Sequence, residues 1–161
     1  MKKLSLTVLL LTTIFFLTTA FTVEQTDKYK CMVQLVNYTG EGAYVIVSVL
    51  DQDDNYVKTL RVIGNDEEWY PDLKQWYAFH ERTQEDIDGI TGATISGGER
   101  TVFALEVDAE YVGKNNKLRF ETAVEDQKYV KDDIILPLTE ATLSGKHEGS
   151  DYIRYIKLLG K

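Results

Sequence analysis

Short apolar runs with a period close to two recur along most of the chain. Residues 31–36 alternate, and 44–50 are almost continuously apolar. Residues 56–63 place Val57, Thr59, Arg61 and Ile63 on one face and Tyr56, Lys58, Leu60 and Val62 on the other. Residues 101–107 alternate again, 117–125 set Leu118, Phe120, Thr122 and Val124 on one side, 134–138 are short and apolar, and 151–158 carry Tyr152, Ile153, Tyr155 and Ile156. Seven strands at short spacing, with ten tyrosines and only two prolines, predict an all-β fold: an immunoglobulin-like antiparallel β-sandwich with one short helix between strands. The paired cysteines of antibody domains are missing, so only the architecture carries over.

The helix is the one departure from this pattern. Trp69, Leu73, Trp76 and His80 fall at i, i+4, i+7 and i+11, Pro71 stands where a first turn tolerates it, and Asp66, Glu67, Glu68 and Asp72 put negative charge near the N-terminus. The spacing predicts an amphipathic helix over 71–81, lying across one end of the sandwich, with both tryptophans in the core. Turn chemistry fills the linkers. The oxygen-rich run 51–55 is spaced like the start of a calcium loop, but Tyr56 and Val62 occupy the positions that need glycine and glutamate, so it reads as an acidic hairpin turn. Residues 113–116 suit a hairpin loop, and Ser144-Gly145 with Gly149-Ser150 bracket a longer connection.

The N-terminus lies outside this fold. Residues 1–20 combine Lys2 and Lys3, an apolar run and a small-residue exit with Thr18 and Ala20 at the −3 and −1 positions, the pattern of a secretory signal peptide. Residues 21–161 then form a single β-sandwich domain. The leader holds two of the 18 basic residues and none of the 26 acidic ones, so cleavage takes the formal charge from −8 to −10. A domain this acidic, without a basic block, is a poor nucleic-acid binder and is repelled by anionic lipid. No second apolar segment approaches the ~20 residues of a membrane span, so cleavage leaves no integral membrane domain; retention of the leader would instead anchor the domain. The single cysteine, Cys31, cannot form an internal disulfide and heads an apolar alternation, which reads as a buried small hydrophobe.

Common catalytic chemistries find little support. His80 and His147 belong to no metal-ligand spacing, no Gly-x-Ser-x-Gly elbow is present, and carboxylate pairs in so acidic a chain read as solvated faces. The run Asp88-Gly89-Ile90-Thr91-Gly92-Ala93-Thr94-Ile95-Ser96-Gly97-Gly98 stands out. Its glycines and threonines make a tight polar loop, but not in an arbitrary order. Asp88-x-x-Thr91-Gly92-Ala93-Thr94 resembles the target motif of flavin transferases in exported redox proteins. The resemblance implies covalent FMN on Thr94 through a phosphoester, recognition through Asp88, Thr91, Gly92 and Ala93, and Ser96 as the small hydroxyl two places on. A slender exposed loop is what a transferase pocket would need.

A wider set of segments occurs in order: Val57-Lys-Thr-Leu60, Trp69-x-x-Asp-Leu-x-x-Trp76, the loop to Thr94, Leu118-Arg-Phe-Glu121 and Ile134-x-Leu-Pro-Leu138. Over 29–158 the chain resembles the predicted periplasmic proteins of domain-of-unknown-function family 2271. It departs from them after Thr94, where Ile95-Ser96-Gly97-Gly98 replaces a basic residue and proline, and in ending the next strand at Val107-Asp108 without a tryptophan. The resemblance implies a periplasmic or otherwise exported β-sandwich, with a flavin transferase and a membrane redox protein with a PepSY-type domain as partners. Two readings follow: a small covalent-FMN carrier in envelope electron transfer, not a catalyst in its own right, or a non-catalytic immunoglobulin-like binding or scaffolding module whose loop serves turn geometry. A third, metal or haem handling, would require His80 and His147 to converge.

Overall fold

Alternation along the strands becomes burial when two sheets close on each other. The computed structural model describes residues 25–160, so the expected leader lies outside the described residues. Nine strands are found among them: β1 (Thr26–Leu35), β2 (Tyr44–Leu50), β3 (Tyr56–Ile63), β4 (Thr91–Gly92), β5 (Arg100–Asp108), β6 (Lys117–Ala123), β7 (Tyr129–Pro137), β8 (Gly145–Glu148) and β9 (Ile153–Leu159). One sheet has the order β5-β1-β9-β8, the other β4-β3-β2-β6-β7. Between them lies a core that includes Cys31, Val33 and Leu35 of β1, Val45, Val47 and Val49 of β2, Leu105 of β5, Phe120 of β6 and Ile156 of β9. The fold is the expected all-β sandwich. Cys31 is fully buried, and burial pushes its thiol up to about 12.

The continuous apolar run of β2 has a structural reason. Its odd-numbered valines face the other sheet, while Tyr44 and Ile46 face outward and are covered by the helix α1 (Lys74–Thr83), which packs Trp76 and Phe79, with Leu73 before it, on Ile46, Val62 and Ala123. The helix therefore lies on the outer face of the five-stranded sheet, not across one end of the sandwich as expected. It also begins later, because Pro71 falls in a separate 3-10 turn, Glu67–Asp72, capped by the Asp66 side chain accepting from Glu68 N–H at 3.1 Å. Trp76 is fully buried and Trp69 half-buried. The Trp76 indole N–H donates to Thr59 Oγ1 at 3.0 Å, and that hydroxyl donates to Glu85 Oε2 at 2.7 Å, so the helix docks through polar as well as apolar contacts.

Other differences have local causes. β4 is two residues long and β8 exposes most of its side chains, so neither leaves a periodic trace. Register shifts in the β2–β3 pairing break the simple two-face reading of β3. Thr59 contacts the helix alongside Val62, whereas Leu60 and Ile63 enter the inter-sheet core and Arg61 reaches Phe103 on the opposite sheet. β4 pairs with β3 in parallel, an exception in an otherwise antiparallel sandwich. The segment 113–116 is not a hairpin loop: β5 and β6 belong to different sheets, and the chain crosses over there. The 51–55 turn is the hairpin expected, with Asp51 Oδ1 accepting from Asp53 N–H and Asn55 N–H at 2.8 and 2.9 Å.

Three buried acids tie strands together, two of them across the sheets. Asp108 takes Lys58 Nζ and Thr26 Oγ1, both at 2.6 Å, joining the two sheets; burial alone would raise its pKa, but these donors hold it below the ordinary carboxylate range. Asp133 accepts from Ser150, Asp151 and Ile153 N–H and from the Thr122 hydroxyl. Glu121, fully buried on the outer face, accepts from the phenols of Tyr56 and Tyr129. Burial raises its pKa, with the phenols and Arg119 acting in the opposite direction.

Candidate functional site

The run singled out in the sequence leaves α1 through a left-handed Gln84 and a 3-10 turn at Asp88–Ile90, then joins the edge of the five-stranded sheet as β4. Gly64 N–H donates to Gly92 O at 2.5 Å, and Ala43 and Ile95 exchange two backbone hydrogen bonds at 2.7 and 3.1 Å. Gly92 and buried Ile95 are thus pinned on either side of Ala93 and Thr94, which are exposed. Among the described residues the Thr94 hydroxyl makes no hydrogen bond. It lies over Gly42, where a Cβ would come within 2.4 Å of Oγ1, so the side chain occupies space that only glycine leaves open. Gly97 packs just as tightly: a Cβ there would come within 2.3 Å of Tyr38 O. Tyr38 in turn donates to Ile95 O at 3.2 Å.

The other residues of the run are arranged around this short exposed step. Thr91 Oγ1 donates to Ile87 O at 2.8 Å and holds the 3-10 turn closed, while Asp88 and Ser96 are exposed. All six residues singled out lie on one continuous segment, with Asp88 at its start, Thr91 and Gly92 paired to β3, and Ala93, Thr94 and Ser96 presented outward.

Beside Thr94 the sandwich is open. The edge of β5 and the edge formed by β3 and β4 enclose a cleft of about 260 Å³, whose lining includes Arg61, Gly92, Thr94, Arg100 and Phe103. The Arg61 guanidinium lies over the Phe103 ring, 5.4 Å from its centroid, and its Nε is buried without a hydrogen-bond partner. A cavity of about 530 Å³ lies at the opposite end of the five-stranded sheet, near Asn115 and Pro137; Lys117 there is paired with Asp54 at 2.6 Å.

A sequence profile described as predicted periplasmic protein (DUF2271) matches residues 26–155, both sheets, the helix and the candidate loop included. The chain belongs to DUF2271. No curated protein and no solved structure matches it. The expected family is therefore the one found, and the expected localisation agrees with the family's description as periplasmic. Among the described residues of this DUF2271 protein, no helix is long and apolar enough to cross a membrane.

The histidines do not converge. His80 stacks on Trp76 with ring centroids 5.0 Å apart, over the five-stranded sheet, whereas His147 sits on β8 of the other sheet, its Nε2 2.9 Å from Thr142 O. Among the described residues no group of three histidine, cysteine, aspartate or glutamate side chains could hold a metal ion. The sequence reading missed Arg61, Arg100, Phe103 and Gly42. One signal was available for Arg61, a cation in line with Val57 and Ile63, but its neighbours become known only when β5 folds against β3.

Proposed function

We propose that this DUF2271 protein is a small covalent-FMN carrier of envelope electron transfer, with Thr94 as the phosphoester acceptor. The observation behind the reading is the state of Thr94: exposed, with a hydroxyl free of hydrogen bonds among the described residues, on a two-residue step pinned at Gly92 and Ile95. A neutral hydroxyl must enter a transferase's pocket to react, and one already engaged with its own backbone would first have to be released. Asp88, Thr91, Gly92, Ala93 and Ser96 supply the recognition surface around it. In the transfer, Thr94 Oγ1 forms a bond to the FMN phosphorus of FAD, the pyrophosphate P–O bond breaks, and AMP leaves, the hydroxyl proton being taken up by the transferase or the departing AMP.

The attached flavin supplies the redox chemistry; the chain contributes position and field. Its net negative charge favours encounter with a basic partner, such as a membrane redox protein with a PepSY-type domain. The alternative, a cofactor-free binding or scaffolding module, draws support from Thr91, whose bond to Ile87 O is turn geometry. That role is compatible with either reading, whereas the unengaged Thr94 serves no turn. The test is intact-mass measurement after production with a flavin transferase and FAD. One FMN-sized increment is expected on the wild type and none on Thr94→Val. No increment on the wild type, or one that survives the substitution, overturns the proposal.

A further inference from the structure

The cleft beside Thr94 has chemistry of its own. Arg61 is half-buried, its Nε has no hydrogen-bond partner, and among the described residues its guanidinium makes no ion pair, although Glu99 also borders the cleft. A desolvated guanidinium N–H without an acceptor is costly, and a half-buried cation left unpaired in a strongly acidic chain calls for an anion from outside. The neighbouring chain makes room for the guanidinium. Gly92 stands so close that a Cβ would come within 2.9 Å of an Arg61 terminal nitrogen, and the Phe103 ring supports the guanidinium from the other sheet. Arg100, exposed at the start of β5, brings a second cation to the same cleft. Guanidinium forks match the oxygens of a phosphoryl group in pairs, which a point charge cannot do.

We infer that Arg61 and Arg100 form a phosphoryl-oxyanion seat beside Thr94, with Phe103 holding Arg61 in place. The part of the inference that makes the oxyanion the phosphodiester of an attached FMN rests on the carrier reading; the seat itself does not. Without local cations, a phosphodiester on Thr94 would meet only the repulsive field of an acidic domain. The seat also gives Gly92 a physical role beyond loop slenderness, since any side chain there would push into the arginine.

Two sources offer the same oxyanion, an attached FMN phosphodiester and a free phosphate monoester, and the experiment separates them. The unmodified protein, produced without a transferase, is titrated with inorganic phosphate, FMN and riboflavin while the Arg61 Nε–H and the amides of residues 92–94 and 100–103 are followed by NMR. Saturable shifts with phosphate and FMN, absent with riboflavin, are expected. Arg61→Gln should weaken binding at least tenfold, Arg100→Gln less, and Arg61→Lys, which keeps the charge, should restore part of it if the glutamine variant folds poorly. No response of Arg61 to phosphate or FMN, equal binding of riboflavin, or wild-type binding by both Arg61 variants overturns the seat. In protein carrying FMN on Thr94, the phosphodiester 31P resonance should move in Arg61→Lys; an unmoved resonance removes the attached phosphodiester as the occupant. If Thr94 accepts no FMN while phosphate still shifts Arg61, the carrier reading fails and the seat stands; modification of Thr94 with a silent Arg61 gives the reverse.

Discussion

Replacing Asp133 by asparagine exchanges one oxygen for an NH₂ group and leaves size and shape almost unchanged, yet the hydrogen-bond pattern makes it a severe substitution. Asp133 is 2% exposed. Its Oδ1 accepts from Ser150 and Asp151 N–H at 3.0 and 2.8 Å, and its Oδ2 accepts from Ile153 N–H and Thr122 Oγ1, both at 2.8 Å. An asparagine must turn its NH₂ toward one pair. On the Oδ1 side it meets two backbone donors that cannot change role. On the Oδ2 side the Thr122 hydroxyl can rotate and accept, leaving only Ile153 N–H opposed. The second orientation is therefore preferred, and one buried orphaned donor costs about 1–3 kcal/mol. Adding the lost charge assistance on the remaining bonds brings Asp133→Asn to about 2–4 kcal/mol, and Asp133→Ala, which takes the carboxylate from the Asp151 and Ile153 amides while Ser150 N–H keeps Asp133 O at 2.9 Å, to more. Against a typical total of about 5–15 kcal/mol, either change is large. Urea unfolding followed by tryptophan fluorescence measures it, with an unchanged m-value expected. Hydrogen exchange should show the Ile153 amide losing the most protection. The consequences should reach the candidate loop, because Tyr152 stands edge-on to Tyr38 at 5.2 Å and Tyr38 bonds to Ile95 O. An Asp133→Asn cost below about 0.5 kcal/mol, or an Ile153 amide that keeps its protection, would mean that the Asp133 carboxylate does not anchor this turn.

Stability should respond to pH in two opposite ways. Glu121 has its folded pKa raised from 4.5 by burial, so its contribution is complete below the unfolded value and is lost as pH rises through the folded one; stability from this group therefore grows on moving from neutrality toward 4.5, and Glu121→Gln should flatten that slope in urea titrations at stepped pH. Asp108, with its pKa lowered, contributes above the usual 3.8 and loses that contribution as pH falls through its folded value, so the acid limb should be the one that Asp108→Asn changes. Trp76→Phe removes the bond to Thr59 and part of a fully buried ring, and should cost about 2 kcal/mol in urea unfolding, roughly 4–8 °C in Tm; a change under 1 °C would mean that the helix is not docked through this residue.

Local patterns in the amino-acid sequence were enough for the all-β class, the burial of Cys31, the inward face of β6 at Leu118 and Phe120, the 51–55 turn and the run that carries Thr94. Each of these is local: alternation, turn chemistry and side-chain order are properties of neighbours in the chain. The helix was legible as well, from the stripe through Leu73 and Trp76, but not where it packs, because an apolar stripe specifies that a face is covered and not by what. Only the tertiary structure put α1 on the outer face of the five-stranded sheet, a placement that accounts for the unbroken apolar run of β2. It also decided the faces of β3, since the register shifts arise from pairing with β2 and have no signal within 56–63 itself. The candidate site divides in the same way. Asp88, Thr91, Gly92, Ala93, Thr94 and Ser96 stand in one continuous stretch and could be read from it. Arg61 and Phe103 are 42 positions apart by their numbers, and Gly42 and Thr94 52 apart. What joins them is the closing of two sheet edges and the approach of two loops, and long-range contacts of that kind leave no periodic trace in a single chain.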